Sequence, residues 1–321
     1  MNPTESHTPR RRRALILTSI IVGALVVFLT GLFMARDKEH VALDDDVRRT
    51  ASGNFKWLSE GVTHYELSGP DSGRTVVLCS GFSVPYYLWD PTRDALVAAR
   101  YRVLRYDYFG RGLSDRPDLD YDLKMFDRQL VELLDSLGIR GTVDIAGISM
   151  GGVVAANFAN NHLDRVRTVT LVDPGFGLRG KPPLSVALPG VGEYAMTVIA
   201  APSMPAGQSG DFLHPEKFPH WAERYEAQMQ YPGFRRALLR TLRGDALRTP
   251  AAAFTKLAAS TTPILLIWGR QDQTVPFSFS VPATQAFPKA EFEPLDSVGH
   301  IPHYERPDLV NPILLRFLGS H

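Results

Sequence analysis

The run RTVVLCS, Arg74 to Ser80, is apolar and rich in β-branched residues between its two polar ends. A strand with one wet face alternates apolar and polar positions. A strand without a polar face has to be covered on both sides, as in a parallel sheet under helices. The segments RVLRYD (Arg102 to Asp107), TVDIAG, RTVTLVD (Arg167 to Asp173), PILLIWG (Pro263 to Gly269) and AEFEPLD (Ala290 to Asp296) repeat the strand-like pattern. Helix-like stretches stand between them, at Asp90 to Arg100, after Asp122, from Met150 and near Pro307 to Leu318. Asp122 is placed to cap a helix whose Leu123, Phe126, Leu130, Leu133, Leu134 and Leu137 share one stripe, and Gly138 is placed to end it. Phe55–Leu58 and Thr63–Leu67 suggest a hairpin around Glu60-Gly61. Strand–helix alternation of this kind predicts an α/β domain on a mostly parallel sheet.

With 321 residues, 44% of them hydrophobic, the chain suits one large domain with room for an insertion. A net charge of +1 gives no reason to expect nucleic acid as a partner. The single cysteine, Cys79, rules out an internal disulfide. No His/Cys cluster has metal-ligand spacing and no Gly-rich loop is built to cradle phosphate, so neither metal nor cofactor is expected.

Ala14 to Ala35 carries no charge over 22 residues. As a helix it reaches roughly 30 Å, the thickness of the hydrocarbon layer. It is longer than a signal-peptide core, and LFMARD is a poor cleavage site. A retained signal anchor over 14–35 is the expectation; a cleaved signal peptide and a buried core helix are the alternatives. Arg10 to Arg13 precede it, so the positive-inside rule places residues 1–13 in the cytoplasm and the large domain outside the cell membrane. Residues 36–53, charged and then Ser/Gly-containing, read as a linker to a domain spanning 54–321. Within that domain, 175–259 lacks a clear buried strand and carries seven prolines between 182 and 219. Its aromatic, Met and Leu content suits a mostly helical cap inserted over the sheet edge.

GISMGG, Gly147 to Gly152, follows one expected strand and opens one expected helix. There, Gly-x-Ser-x-Gly makes a tight turn that pushes Ser149 out at the sheet's carboxyl edge, with a helix N-terminus behind it. Gly147 and Gly151 are required because side chains there would strike the neighbouring helix and strand. A serine needs a base, and the base needs an acid to orient it. Asp272 in WGRQDQTVP and His300 in DSVGHIPHYERPD both follow expected strands, so all three lie at one edge in the order Ser, Asp, His.

From about Phe55 to the C-terminus the chain resembles the α/β-hydrolase fold family, in particular its serine esterases and lipases of monoacylglycerol-lipase type. The resemblance implies Ser149 as nucleophile, His300 as base and Asp272 as acid. Asp173, ending the strand before the cap, remains a rival acid, and His303 a rival base. His64, His162, His214 and His220 read as surface or packing residues. RYDYFGRGLSDRP matches the family's Asp-x-x-Gly-x-Gly-x-Ser loop, in which Asp107, Gly110, Gly112 and Ser114 shape the backbone. The oxyanion hole implied is the backbone N–H of Met150 with that of Phe82, in the loop LCSGFSVPYY. The family usually has His-Gly where this chain has Ser80-Gly81. Tyr86, Tyr87, Trp89, Ile148 and Ile301 are candidate substrate contacts.

A serine at the elbow excludes the aspartate-dependent dehalogenases and epoxide hydrolases of this fold. The carbon–carbon hydrolases of ring-cleavage products share SMGG and WGR.D, with Arg270 as candidate carboxylate binder, but usually carry Asn before the nucleophile and Trp after the base; here these are Ile148 and Ile301. An outward anchor and an apolar cap favour a small-molecule or lipid ester. A non-catalytic binding or scaffold protein on the same fold is the alternative from another class. The sequence is silent on oligomeric state.

Overall fold

The computed structural model describes residues 8–321. The first seven residues of the expected basic segment lie outside the described residues.

Helix α1, Thr8–Arg36, contains a 26-residue apolar span, Arg11–Arg36, none of it buried. That removes the core-helix alternative. The stretch expected to be a linker is partly ordered: α2, Asp45–Thr50, is capped by Asp44, whose side chain accepts from the amides of Asp46 and Val47. Ahead of it, Val41 N–H donates to Gln230 O at 3.0 Å, and Glu39 accepts from the Arg235 amide at 2.7 Å. Residues 37–41 are thus laid along the cap.

Eight strands form one sheet: β1 (Asn54–Leu58), β2 (Gly61–Ser68), β3 (Thr75–Cys79), β4 (Arg102–Tyr106), β5 (Val143–Ile148), β6 (Val166–Val172), β7 (Ile264–Gly269) and β8 (Glu291–Leu295). Their order is β1-β2-β4-β3-β5-β6-β7-β8. The β1–β2 hairpin and the β2–β4 pair are antiparallel, and every later pair is parallel. The wholly buried β5 and β7 sit inside, as unbroken apolar strands must. Helices α3 (Asp90–Ala98), α4 (Leu123–Ser136) and α5 (Met150–Asn161) join the parallel strands. Helix α4 begins where Asp122 accepts from Met125 N–H at 2.8 Å and ends before Gly138 at φ +70°. Its Phe126, Leu130, Leu133 and Leu134 are buried in one of the two apolar cores flanking the sheet.

Between β6 and β7 the chain contains no strand among the described residues. It is a succession of short helical turns with α6 (Trp221–Glu226) and α7 (Phe234–Arg243). The last helix, α8, is Pro307–Ser320.

Candidate active site

The turn from β5 into α5 sets out the site. Ser149 has φ +55° and ψ −123°, a conformation that L-residues rarely hold. Its amide is tied to Val172 O at 3.0 Å, and its carbonyl accepts from Gly152 and Gly175 N–H at 3.0 and 2.9 Å. A methyl on Gly147 would overlap the carbonyl of Gly151, and one on Gly151 would overlap those of Cys79 and Ser80. Each glycine therefore lets β3, β5 and α5 approach closely enough to force the turn.

His300 stands in the loop after β8. Its Nδ1 meets Asp272 Oδ2 at 2.8 Å, with both side chains buried. The other Asp272 oxygen accepts from the amides of Thr274 and Val275, each at 2.8 Å. Burial pulls the His300 pKa down, but the charges of Asp272 and then Asp211 outweigh it and leave it raised. Asp173 does not reach the imidazole. It is fully buried at φ +40°, accepts from Gly269 N–H at 2.8 Å, and burial followed by the adjacent charge of Asp272 drives its carboxyl pKa far up. His303 is buried and packs tilted against Trp89, 4.1 Å between ring centroids with the planes 38° apart. Burial holds its pKa down at about 3, so it is a neutral packing group.

Ser149 and His300 face a common cavity of about 150 Å³. Phe82, Val84, Leu88, Ile148 and Ile301 supply its apolar wall. The polar groups are Ser83, Thr274 and two residues of the cap, Gln208 and Asp211. No Lys or Arg lines it. A methyl built on Gly81 would lie 3.6 Å from Ser149 Cβ, so the loop after β3 passes directly over the serine. The Phe82 and Met150 amides have no hydrogen-bond partner outside regular structure among the described residues.

That loop is braced from three sides. Arg111, buried, donates from Nε to Phe82 O at 2.9 Å and from a terminal nitrogen to Thr241 Oγ1 at 2.8 Å. The Gln228 amide donates to Ser83 O at 2.9 Å. Asp107 accepts from Tyr86 N–H at 2.8 Å, from Leu113 N–H at 3.0 Å and from His64 Nδ1 at 2.7 Å. Burial lowers the Arg111 pKa to about 10, which leaves it cationic at neutral pH.

The other expected substrate contacts are elsewhere. Tyr86 and Tyr87 line a separate cavity of about 250 Å³ with His64, Arg224, Gln228 and Tyr231. The Asp107 contact fixes Tyr86 on the far side of the loop. Tyr87 is held under the Arg224 guanidinium, 3.9 Å from its ring centre. Trp89 is buried against His303. Arg270 is exposed, 4.8 Å above the Phe277 ring and 3.2 Å from Asp296.

A model of the alpha/beta hydrolase family matches residues 76–313. The chain is an α/β hydrolase. A 2-hydroxy-6-oxononadienedioate/2-hydroxy-6-oxononatrienedioate hydrolase of Paraburkholderia phymatum is 27% identical over 306 residues, covering 87% of this chain and all of that protein. The crystal structure of a hydrolase from Pseudomonas aeruginosa superposes with a TM-score of 0.71 at 25% identity, over 84% of this chain and 99% of that one. An enol-lactonase from Burkholderia xenovorans shares the fold, with a TM-score of 0.72 at 21% identity over 83% of this chain and all of that one.

In this α/β hydrolase the sequence reading missed Leu88, Val84, Thr274, Gln208 and Asp211 in the cavity, and Arg111 behind the loop. Arg111 carried a usable signal: it stands between the two glycines of the recognised loop motif. Gln208 and Asp211 carried none.

Proposed function

We propose that this protein is a serine hydrolase that cleaves uncharged, apolar carboxylic esters through an acyl-enzyme. The observation that carries the reading is the cavity into which both Ser149 and His300 open, with Asp272 fixed behind the imidazole. His300 takes the Ser149 hydroxyl proton as Oγ attacks the ester carbonyl. The negative charge that develops on the carbonyl oxygen is received by the N–H groups of Phe82 and Met150 at the start of α5. The imidazolium, held by Asp272, protonates the leaving alcohol. Water, deprotonated by His300, then releases the acid. The strained Ser149 backbone and the braced 81–87 loop mean that the donors are positioned before substrate arrives.

The second reading is a carbon–carbon bond hydrolase, favoured by the Paraburkholderia relative. Its name denotes dicarboxylate substrates. Against it here stand the cavity lining without Lys or Arg and the outward placement of Arg270. A non-catalytic role would leave the strain at Ser149 without purpose.

The α1 helix supports attachment to a membrane, with residues 14–35 as a single span, the N-terminus in the cytoplasm and the domain outside. Exposed Leu184, Leu188, Val191 and Ile199 lie on the cap, and Met196–Ala200 of the same segment packs against α1. With α1 in a membrane, that contact would bring the cap beside the lipid phase, where apolar esters partition.

A fluorophosphonate probe tests the chemistry: wild type is labelled and Ser149→Ala is not. Equal labelling of both removes the serine-hydrolase reading. Rates on esters of rising acyl length test the substrate class, and turnover confined to vinylogous 1,5-diketones would establish the carbon–carbon reading instead. Recovery of a soluble mature chain starting after residue 35 would exclude the anchor.

A further inference from the structure

The cavity has a wall that belongs to the cap and to neither core strand nor catalytic loop. Gln208 and Asp211 come from one 3-10 turn, Gln208–Asp211. This turn is clamped onto both loops of the site. His300 N–H donates to Asp211 O at 2.8 Å, and Thr274 Oγ1 donates to Asp211 Oδ1 at 2.7 Å. Thr274 in turn gives its amide to Asp272. A methyl on Gly299 would come within 2.6 Å of Asp211 O, so the cap turn lies flat on the histidine loop.

The clamp uses one oxygen of the Asp211 carboxyl. Oδ2 has no partner among the described residues, and Asp211 lines the cavity. Gln208 lines it too, and its Oε1 is buried without a partner. A buried amide oxygen left without a donor is destabilising, and a bound donor relieves it. Both oxygens are acceptors, and both residues border the space that holds Ser149. The ionisable groups facing Asp211 are His300 and Asp272. Burial pushes the Asp211 pKa up, while the His300 charge and the Thr274 hydroxyl oppose it.

We propose that Asp211 and Gln208 form a cap-borne selector that accepts uncharged esters carrying a hydroxyl or amide N–H close to the scissile carbonyl and turns away esters carrying an anionic group there. The selector deepens the ester-hydrolase reading and rests on it. With His300 neutral, as its role as base requires, an anion entering the cavity meets the Asp211 carboxyl group in a partly desolvated space with no Lys or Arg in its lining, where like charges repel strongly. A hydroxyl on the leaving alcohol instead satisfies Gln208 Oε1 or Asp211 Oδ2. Discrimination by hydrogen bonding is large when the unfilled site leaves a buried polar group unpaired.

The test uses the full chain in detergent and three butyrate esters of similar size: ethyl, 2-hydroxyethyl and carboxymethyl. Their hydrolysis is followed by proton release. Wild type should prefer 2-hydroxyethyl to ethyl butyrate, and turn over carboxymethyl butyrate at least about tenfold less well than ethyl butyrate. Asp211→Asn should raise the carboxymethyl-to-ethyl ratio of kcat/KM by about tenfold. Gln208→Leu should remove the preference for 2-hydroxyethyl while leaving the carboxymethyl penalty in place. Because each readout is a ratio within one variant, general damage to the His300 loop cancels. Unchanged ratios in both variants, with wild type still labelled by fluorophosphonate, would overturn the selector and leave the ester reading standing. Absence of both labelling and ester turnover in wild type would overturn the two together.

Discussion

Ser149 holds its place in the turn at a cost in backbone strain, and the amount can be measured. At φ +55°, ψ −123° its backbone holds a conformation open to glycine and rarely adopted by residues with a Cβ. Such a conformation costs about 1–3 kcal/mol. Ser149→Ala keeps Cβ and therefore the strain; Ser149→Gly removes it. Against this, glycine loses about 0.5–1 kcal/mol to alanine through the greater freedom of its unfolded chain. The net expectation is that the glycine variant is at least as stable as the alanine variant, by about 0–2.5 kcal/mol, both being inactive. For a domain of this size that is a rise in Tm of about 0–10 °C. Paired urea and thermal unfolding of the two full-length variants in one detergent is the assay. If Ser149→Gly unfolds below Ser149→Ala by the ordinary glycine deficit, the turn is unstrained and the argument for a pre-positioned nucleophile is wrong.

Four further outcomes are expected. Asp272→Asn should lower kcat by about 10⁴, because the imidazole loses its orienting charge, whereas Asp173→Asn, which imitates the protonated form that burial favours, should leave most activity; the reverse ranking in a hydrolase assay would exchange their roles. Arg111→Met removes the donor to Phe82 O and should reduce kcat by about 10² with little change in KM, read together with the fluorophosphonate labelling rate. His303, with a folded pKa of about 3 against 6.5 in its ordinary state, contributes stability that is present above pH 6.5 and lost as pH falls through that interval. His303→Leu should accordingly flatten the acid side of a stability–pH curve, and an unchanged curve would refute this. The acid limb of kcat/KM should lie above pH 6.5, because the free-enzyme imidazole carries a raised pKa, and a limb below that value would contradict the arrangement of carboxylates around His300.

The strands and the elbow were readable because each depends on local chemistry. An apolar run such as Val76–Leu78 has one way to be buried, and Gly147 and Gly151 have one reason to lack a side chain. His300 and Asp272 were readable from order and from the strands that precede them. The aromatic run Tyr86-Tyr87 and Trp89 was harder. It turns into a short 3-10 helix, Tyr86–Trp89, whose direction is set by Asp107, a residue from a different loop. The two tyrosines then face the second cavity, Trp89 packs tilted against His303, and the unremarkable Leu88 lines the cavity of Ser149 and His300. Asp211 and Gln208 were hidden for a similar reason. They lie in a proline-rich insertion without periodicity, and what makes them notable is that Asp211 takes a bond from His300 N–H on its backbone carbonyl and one from Thr274 Oγ1 on its carboxylate, both from loops far downstream, while Gly299 lets the turn lie close.

The stretch between α1 and α2 has a practical consequence. Asp37 and Glu39 both hold the Arg235 guanidinium, Lys38 pairs with Glu226 at 2.6 Å, and the Val41 amide bonds Gln230. A natural cleavage just after residue 35 would leave every one of these contacts on the mature chain. A soluble fragment trimmed to the start of the sheet, near residue 54, would lose them all and leave Arg235, on the cap helix α7, without Asp37 and Glu39. Two products that both lack the apolar helix would therefore differ in how firmly the cap is held. Rates measured on the shorter one would describe a looser enzyme than either the anchored or the naturally processed form.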